Sequence, residues 1–216
     1  MFQTTLSLLS EAFLATLLMV FASGAVTLLL GLPLGVLLYA TGRGRIFPSP
    51  VISRILEGAV NITRSVPFVI LMVAITPFTR FLVGTSIGTV AAIVPLSLCA
   101  IPFFARVTEN ALLEVGTGLT EAAHAMGAKN WQIIIFVLLP EAMTSLINGF
   151  ALTLINLVGY SAMAGAIGGG GLGDVAIRYG YQRFDPVILV FTIVLMVILV
   201  QGIQWVGEML AKRFLH

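Results

Sequence analysis

The sequence predicts an all-α integral membrane protein with five transmembrane helices, and three observations carry that prediction. Hydrophobic residues fill 59% of the 216 positions and charged residues only 9%, where soluble domains carry about 25% charged residues. No single soluble core of this length hides so much apolar surface, and the mean hydropathy of +1.09 agrees. The charges are also spaced widely: runs 12–40, 81–105, 142–173 and 186–207 hold no Asp, Glu, Lys or Arg, and 58–79 holds Arg64 alone. About 20 apolar helical residues cross a bilayer. Finally, the runs are continuous, as in Val187-Ile188-Leu189-Val190-Phe191, whereas barrel strands alternate apolar and polar residues.

The spans follow in order. The first, 12–40, has no Lys or Arg before Arg43 and is longer than the apolar core of a signal peptide, so it reads as a retained helix. The second, 58–79, contains Arg64 and the third is 86–105; the fourth is 144–167 and the fifth 186–210. Pro33, Pro67, Pro77, Pro95 and Pro102 should bend spans one to three, because proline removes a helical N–H and crowds the preceding turn. The spans form one membrane domain over 1–216. An odd number of spans puts the termini on opposite sides. With the N-terminus outside, Arg43, Arg45, Arg54, Arg106, Lys129, Lys212 and Arg213 fall inside, and only Arg80, Arg178 and Arg183 outside. The positive-inside rule therefore favours N-out, C-in.

Between spans three and four, residues 106–141 are too polar to cross. Thr117-Gly118-Leu119-Thr120 reads as a break and a helix start, with threonine supplying an N-cap oxygen. A short helix from Glu121 to Met126 should follow, its acid suited to the helix dipole. Gly127 should end it with a positive φ, and a second apolar stretch, Trp131 to Leu139, should end at Pro140. Such a small-residue helix either enters another protein's groove or lies on the membrane as a connector.

Several chemistries are excluded or lack their residues. The net charge is +2 with no basic cluster, so nothing points to nucleic acid. The single Cys99 rules out an intrachain disulfide. A P-loop needs Gly-Lys-Ser/Thr, but Lys129 and Lys212 both follow Ala; this chain has no such ATPase site. No Asp or Glu sits mid-span, where proton-coupled carriers place them. Glu121-x-x-His124 is half of a di-iron pair without its other half, so no metal or other cofactor is assigned, and no catalytic residue.

Glu121-Ala122-Ala123, then Gly127, then Val137-Leu138-Leu139-Pro140 resembles the EAA loop of ABC-importer permeases. The family pattern is matched in spacing and departs once, with Val137 where the family has Ile. Arg64-Ser65-Val66-Pro67-Phe68 is similar to amino-acid permeases. Pro77-Phe78-Thr79-Arg80, Val83 to Gly88, Ala92 to Leu96, Glu109 to Glu114, Val158 to Met163 and Gly168 to Gly173 resemble the permeases of methionine importers in particular. The likeness runs from about residue 24 to 212.

The resemblance implies a transport subunit and not an enzyme: a coupling helix at Thr117, Glu121, Ala122, Ala123 and Gly127, backed by Leu139 and Pro140, that docks on a cytoplasmic ATPase. It also implies a symmetric pair of these chains in the bacterial inner membrane, two ABC ATPase subunits carrying ATP and Mg, an external substrate-binding protein, and methionine as substrate; the alternatives are the same architecture for another small amino acid, or an ATP-independent carrier or channel. Membrane lipid is the remaining partner.

Within the spans, Arg64 lies near the inner end of the second, where it either anchors the helix, with Glu57 as partner, or lines the path. Span four has the most polar interior: Thr153, Asn156, Tyr160 and Ser161. Asn156 and Tyr160 are four apart and share a face, which Met163 continues. These groups either bond between helices or line the translocation path. Gly165 to Gly173 holds six glycines in nine residues and reads as a hinge or close-contact loop. The outer segment that follows, with Asp174, Arg178, Tyr179, Tyr181, Arg183 and Asp185, is either a solvated loop or a docking surface.

Overall fold

The computed structural model describes residues 2–214, with side chains described from Leu6 onward. All its regular elements among the described residues are helices. Four are long and apolar enough to cross a membrane: α1 (Phe2–Thr41), α5 (Thr89–Leu113), α9 (Met143–Ala164) and α11 (Pro186–Lys212). The 40 residues of α1 span about 60 Å at 1.5 Å per residue, twice the ~30 Å hydrocarbon core, so this helix tilts or projects beyond the bilayer. Helices α1 and α5 continue through Pro33, Pro95 and Pro102.

The second predicted span differs from a single helix. Residues 50–83 form three pieces: α2 (Pro50–Ser65), α3 (Phe68–Ala74) and α4 (Thr76–Val83). Helices α2 and α3 meet at 102°. Val66 is extended (φ −85°, ψ 125°), as a residue before proline must be when the pyrrolidine ring blocks its α conformation. Pro67 then opens α3, and Pro77 sits in the first turn of α4, where its missing N–H costs nothing. These two prolines break the span; the three inside α1 and α5 do not.

Helix α1 packs along α5, and the approach is close because of Gly31 and Gly35. A β-carbon on Gly35 would sit 2.5 Å from the Ala105 carbonyl oxygen and would overlap Thr108. Without a hydrophobic drive between helices in lipid, such small-residue contact is what holds them. On the other side α11 lies against α9. Between them the main core gathers Met19, Val20, Leu96, Ala100, Leu157 and Val158.

Several hydroxyls in the spans bond to carbonyls of their own helices, since lipid offers no partner, whereas the buried Thr27, Thr79 and Thr108 hydroxyls have none among the described residues. Ser97 donates to Ile93 O at 2.7 Å, Thr153 to Gly149 O at 2.8 Å and Thr192 to Ile188 O at 2.8 Å. Thr16 does more: it donates to Ala12 O at 3.1 Å and accepts from the buried Leu172 N at 2.9 Å. That bond pins the glycine-rich segment to α1. There α9 runs into a kinked segment (Gly165–Gly169), non-helical at Ile167 and Gly168, and then into α10 (Gly171–Val175), and the chain folds back on itself. A β-carbon on Gly173 would overlap the Ala162 carbonyl, so the run is a close-contact turn.

Candidate functional site

Helix α6 (Thr117–Ala125) starts earlier than predicted, and no threonine caps it. Its N-cap is Gly116, and the Thr120 hydroxyl donates inward to Thr117 O at 2.7 Å. Starting the helix at Thr117 places Glu121 beyond the first turn, so the predicted dipole pairing is lost.

The other end is as the sequence predicts. Gly127 has φ +80°; Ala128 N donates to Ala123 O at 3.1 Å and Gly127 N to His124 O at 2.9 Å. Those two bonds make a Schellman motif, which needs a left-handed residue at this position.

The residues of this segment divide by direction. Ala123 is buried, in one cluster with Tyr39, Leu112, Ile133, Leu138 and Leu146. Val137 and Leu139 pack against the same cluster. Thr117, Glu121, Ala122 and Gly127 are exposed, as is Met126 at 82%. So Ala123 and the 137–139 stretch hold α6 to the bundle, and Glu121, Ala122 and Met126 face outward. The predicted stop at Pro140 does not occur. Helix continues from α7 (Asn130–Ile133) through a π turn (Ile134–Leu138) into α8 (Leu139–Glu141). Leu139 N bonds back to Ile134 O, and this extra residue per turn comes just ahead of the proline ring, which would crowd a regular turn.

Behind α6 lies a cavity of about 190 Å³ bounded by Tyr39 and Arg45 on one side and by Thr120, Glu121 and His124 on the other. The loop after α1 reaches this helix: Asn130 Nδ2 donates to Ile46 O at 3.2 Å, and Asn130 Oδ1 lies 3.3 Å from His124 Nε2. His124 Nδ1 is 2.9 Å from Thr120 O.

In the membrane portion, Arg64 and Tyr160 come together. With Ser65, Pro67, Phe68 and Phe103 they bound a cavity of about 300 Å³ that no carboxylate lines. The Arg64 guanidinium is 6.0 Å from the Phe103 ring centroid, within cation–π range, and Tyr160 stacks on Phe68. Glu57 is not its partner: it accepts from Ser53 Oγ at 2.6 Å instead. Ser161 turns away, 1% exposed, donating to Val158 O at 2.7 Å. Asn156 is half-buried and Met163 47% exposed; with the exposed Leu152 and Gly159 they mark a side of α9 that this chain leaves uncovered.

Much of the charge after the glycine run is structural. Arg178 pairs with Asp174 at 2.7 Å. Arg183 lies over the Tyr179 ring at 4.5 Å. Asp185 Oδ1 accepts from Val187 N and Ile188 N at 3.0 and 3.1 Å, capping α11 ahead of Pro186. Beside the exposed Arg178, Gln182 and Arg183, two aromatic side chains face outward: Tyr181 at 72% and Phe184 at 85% exposed, the latter with φ +55°.

Comparison with known proteins places these features in a family setting. Residues 31–216 match the family described as binding-protein-dependent transport system inner membrane component. A Vibrio cholerae protein named probable D-methionine transport system permease protein MetI is 55% identical over 209 residues, covering 97% of this chain and 93% of that one. The Escherichia coli D-methionine transport system permease protein MetI is 57% identical over 150 residues, 69% of each chain. Among solved structures, an inward-facing form of the MetNI methionine ABC transporter superposes with a TM-score of 0.98 at 49% identity, covering both chains fully.

Proposed function

The chain belongs to the family of binding-protein-dependent transport system inner membrane components, and from that premise we propose that it is the permease subunit of an ATP-driven ABC importer of methionine. It is a multi-pass inner-membrane transport subunit. The substrate rests on the relatives, which are named as D-methionine permeases at 55% and 57% identity.

The observation that carries the coupling role is α6: Ala123 anchors it while Glu121, Ala122 and Met126 stay free to dock. In this account two cytoplasmic ATPase subunits, holding ATP and Mg, receive α6 from each of two copies of this chain. The N-terminus lies outside and the C-terminus inside, as the Lys and Arg distribution favours. An external binding protein delivers substrate to the side carrying Tyr181 and Phe184.

Closure of the ATPases moves α6, and through the cluster around Leu112 and Leu138 it rocks the spans as rigid bodies. The path lies between the two copies, along Asn156, Tyr160 and Met163, with Arg64 at its edge.

Uptake of labelled methionine by cells deleted for this chain tests the proposal. Restored uptake should need both the chain and an ATPase with an intact P-loop. Restoration that ignores a P-loop lesion would overturn the class, and restored uptake of a different amino acid alone would overturn the substrate.

A further inference from the structure

Helices α1 and α11 touch at one end and diverge toward the other. Near the start of α11, Leu9 and Ala12 pack with Ile188. Farther along, an apolar groove of about 440 Å³ opens between α1, α9 and α11, bounded by Phe13, Phe150, Leu154, Gly202, Val206 and Leu210. Along α11 it runs from Ile198 to Leu210, about 18 Å at 1.5 Å per residue. That is close to one leaflet of a ~30 Å hydrocarbon core.

Within one turn of Leu210 along α11 come Lys212 and Arg213, which line with Trp205 and Glu208 a separate small cavity; of the two, Arg213, three residues past Leu210, continues the side of the helix that bounds the groove. Neither cation is in an ion pair among the described residues. At Gly202 the wall is bare: a β-carbon there meets nothing within 4 Å.

We propose that this groove is a phospholipid site: one acyl chain fills it, methyl end toward Phe13, with the lipid phosphate against Lys212 and Arg213. The leaflet is the one in which α11 ends. Three properties select this occupant. The walls are apolar throughout, the length matches one chain, and two cations against one acid, Glu208, stand within a turn of the groove at the end where a headgroup would lie. The lipid fills a seam that α1 and α11 leave open, so it packs the two layers together without fixing their angle. The proposal is independent of the transported substrate.

Native mass spectrometry of the detergent-purified complex with its ATPase, given phosphatidylglycerol, tests it. Wild type should retain bound lipid. Gly202→Leu, whose β-carbon meets nothing within 4 Å, should lower retention roughly tenfold, as loss of two or so buried methylenes suffices. Lys212→Gln with Arg213→Gln should release phosphatidylglycerol at lower salt. Unchanged retention in Gly202→Leu would overturn the proposal. A photo-reactive residue at position 202 provides the second arm: a lipid adduct supports the site, and a chain-to-chain adduct would show that a second copy covers this face instead.

Discussion

Tyr160 lies flat on Phe68, with ring centroids 5.0 Å apart and planes 17° from parallel. The stack ties the C-terminal part of α9 to the first turn of α3, immediately after the 102° bend. It therefore fixes where the broken span meets the bundle, beside Arg64. Tyr160→Phe should keep the stack and the melting temperature of the detergent-purified protein. Tyr160→Ala should lose about 1 kcal/mol from the aromatic pair beyond simple packing loss, and should lower transport more than Tyr160→Phe does. Equal melting temperatures for the two variants would show the stack contributes nothing.

How much of this was legible beforehand depends on what each feature is made of. The long helices were readable because charge bounds them: Asp185 and Glu208 bracket the apolar part of α11, and Glu141 and Asp174 bracket α9 with its glycine run. Bends at Pro67 and Pro77 were readable from proline chemistry, but not that they sever the span while Pro95 and Pro102 do not. That difference lies in the tertiary setting, since α5 is packed along α1. The seat of Gly35 against Ala105 and the bond from Leu172 N to Thr16 are long-range, and no local pattern announces them. In the site, the spacing from Glu121 to Pro140 was visible, and so was the left-handed Gly127. The inward turn of Ala123 was not, because it depends on Leu112 and Leu138 meeting it from two other helices. Arg64 and Tyr160 were each visible singly, but their shared cavity follows from the bend.

The left-handed end of α6 is testable directly. Gly127→Val places a β-branched side chain at φ +80°, a cost of roughly 1–2 kcal/mol or more, and breaks the Schellman bonds to Ala123 and His124. Copurification of the ATPase should fall, while Gly127→Asn, which tolerates this conformation, should keep most of it. The amount of ATPase retained on the tagged chain measures both.

The inward and outward sides of α6 should respond differently. Glu121→Arg alters an exposed charge, so thermal stability should hold while ATPase capture falls by roughly tenfold, the scale of a reversed interfacial charge. Ala123→Leu overfills a buried site and should destabilise by about 1–3 kcal/mol. Paired melting and pull-down measurements separate the two; a Glu121→Arg protein that melts early would contradict the assignment of sides.

Asp185 acts as a cap and should behave as one. Asp185→Ala frees Val187 N and Ile188 N at the start of α11 and should cost about 1 kcal/mol. Asp185→Asn, which keeps the accepting oxygen, should cost less. Melting of the two variants in the same detergent checks the order.

Methionine should move through this chain only when a partner hydrolyses ATP. The most direct test is methionine flux into proteoliposomes holding the purified chain with its ATPase and binding protein, with ATP against a non-hydrolysable analogue. Methionine should accumulate with ATP and not with the analogue. Equal flux in both would contradict this and identify the chain as a carrier or channel that works without ATP.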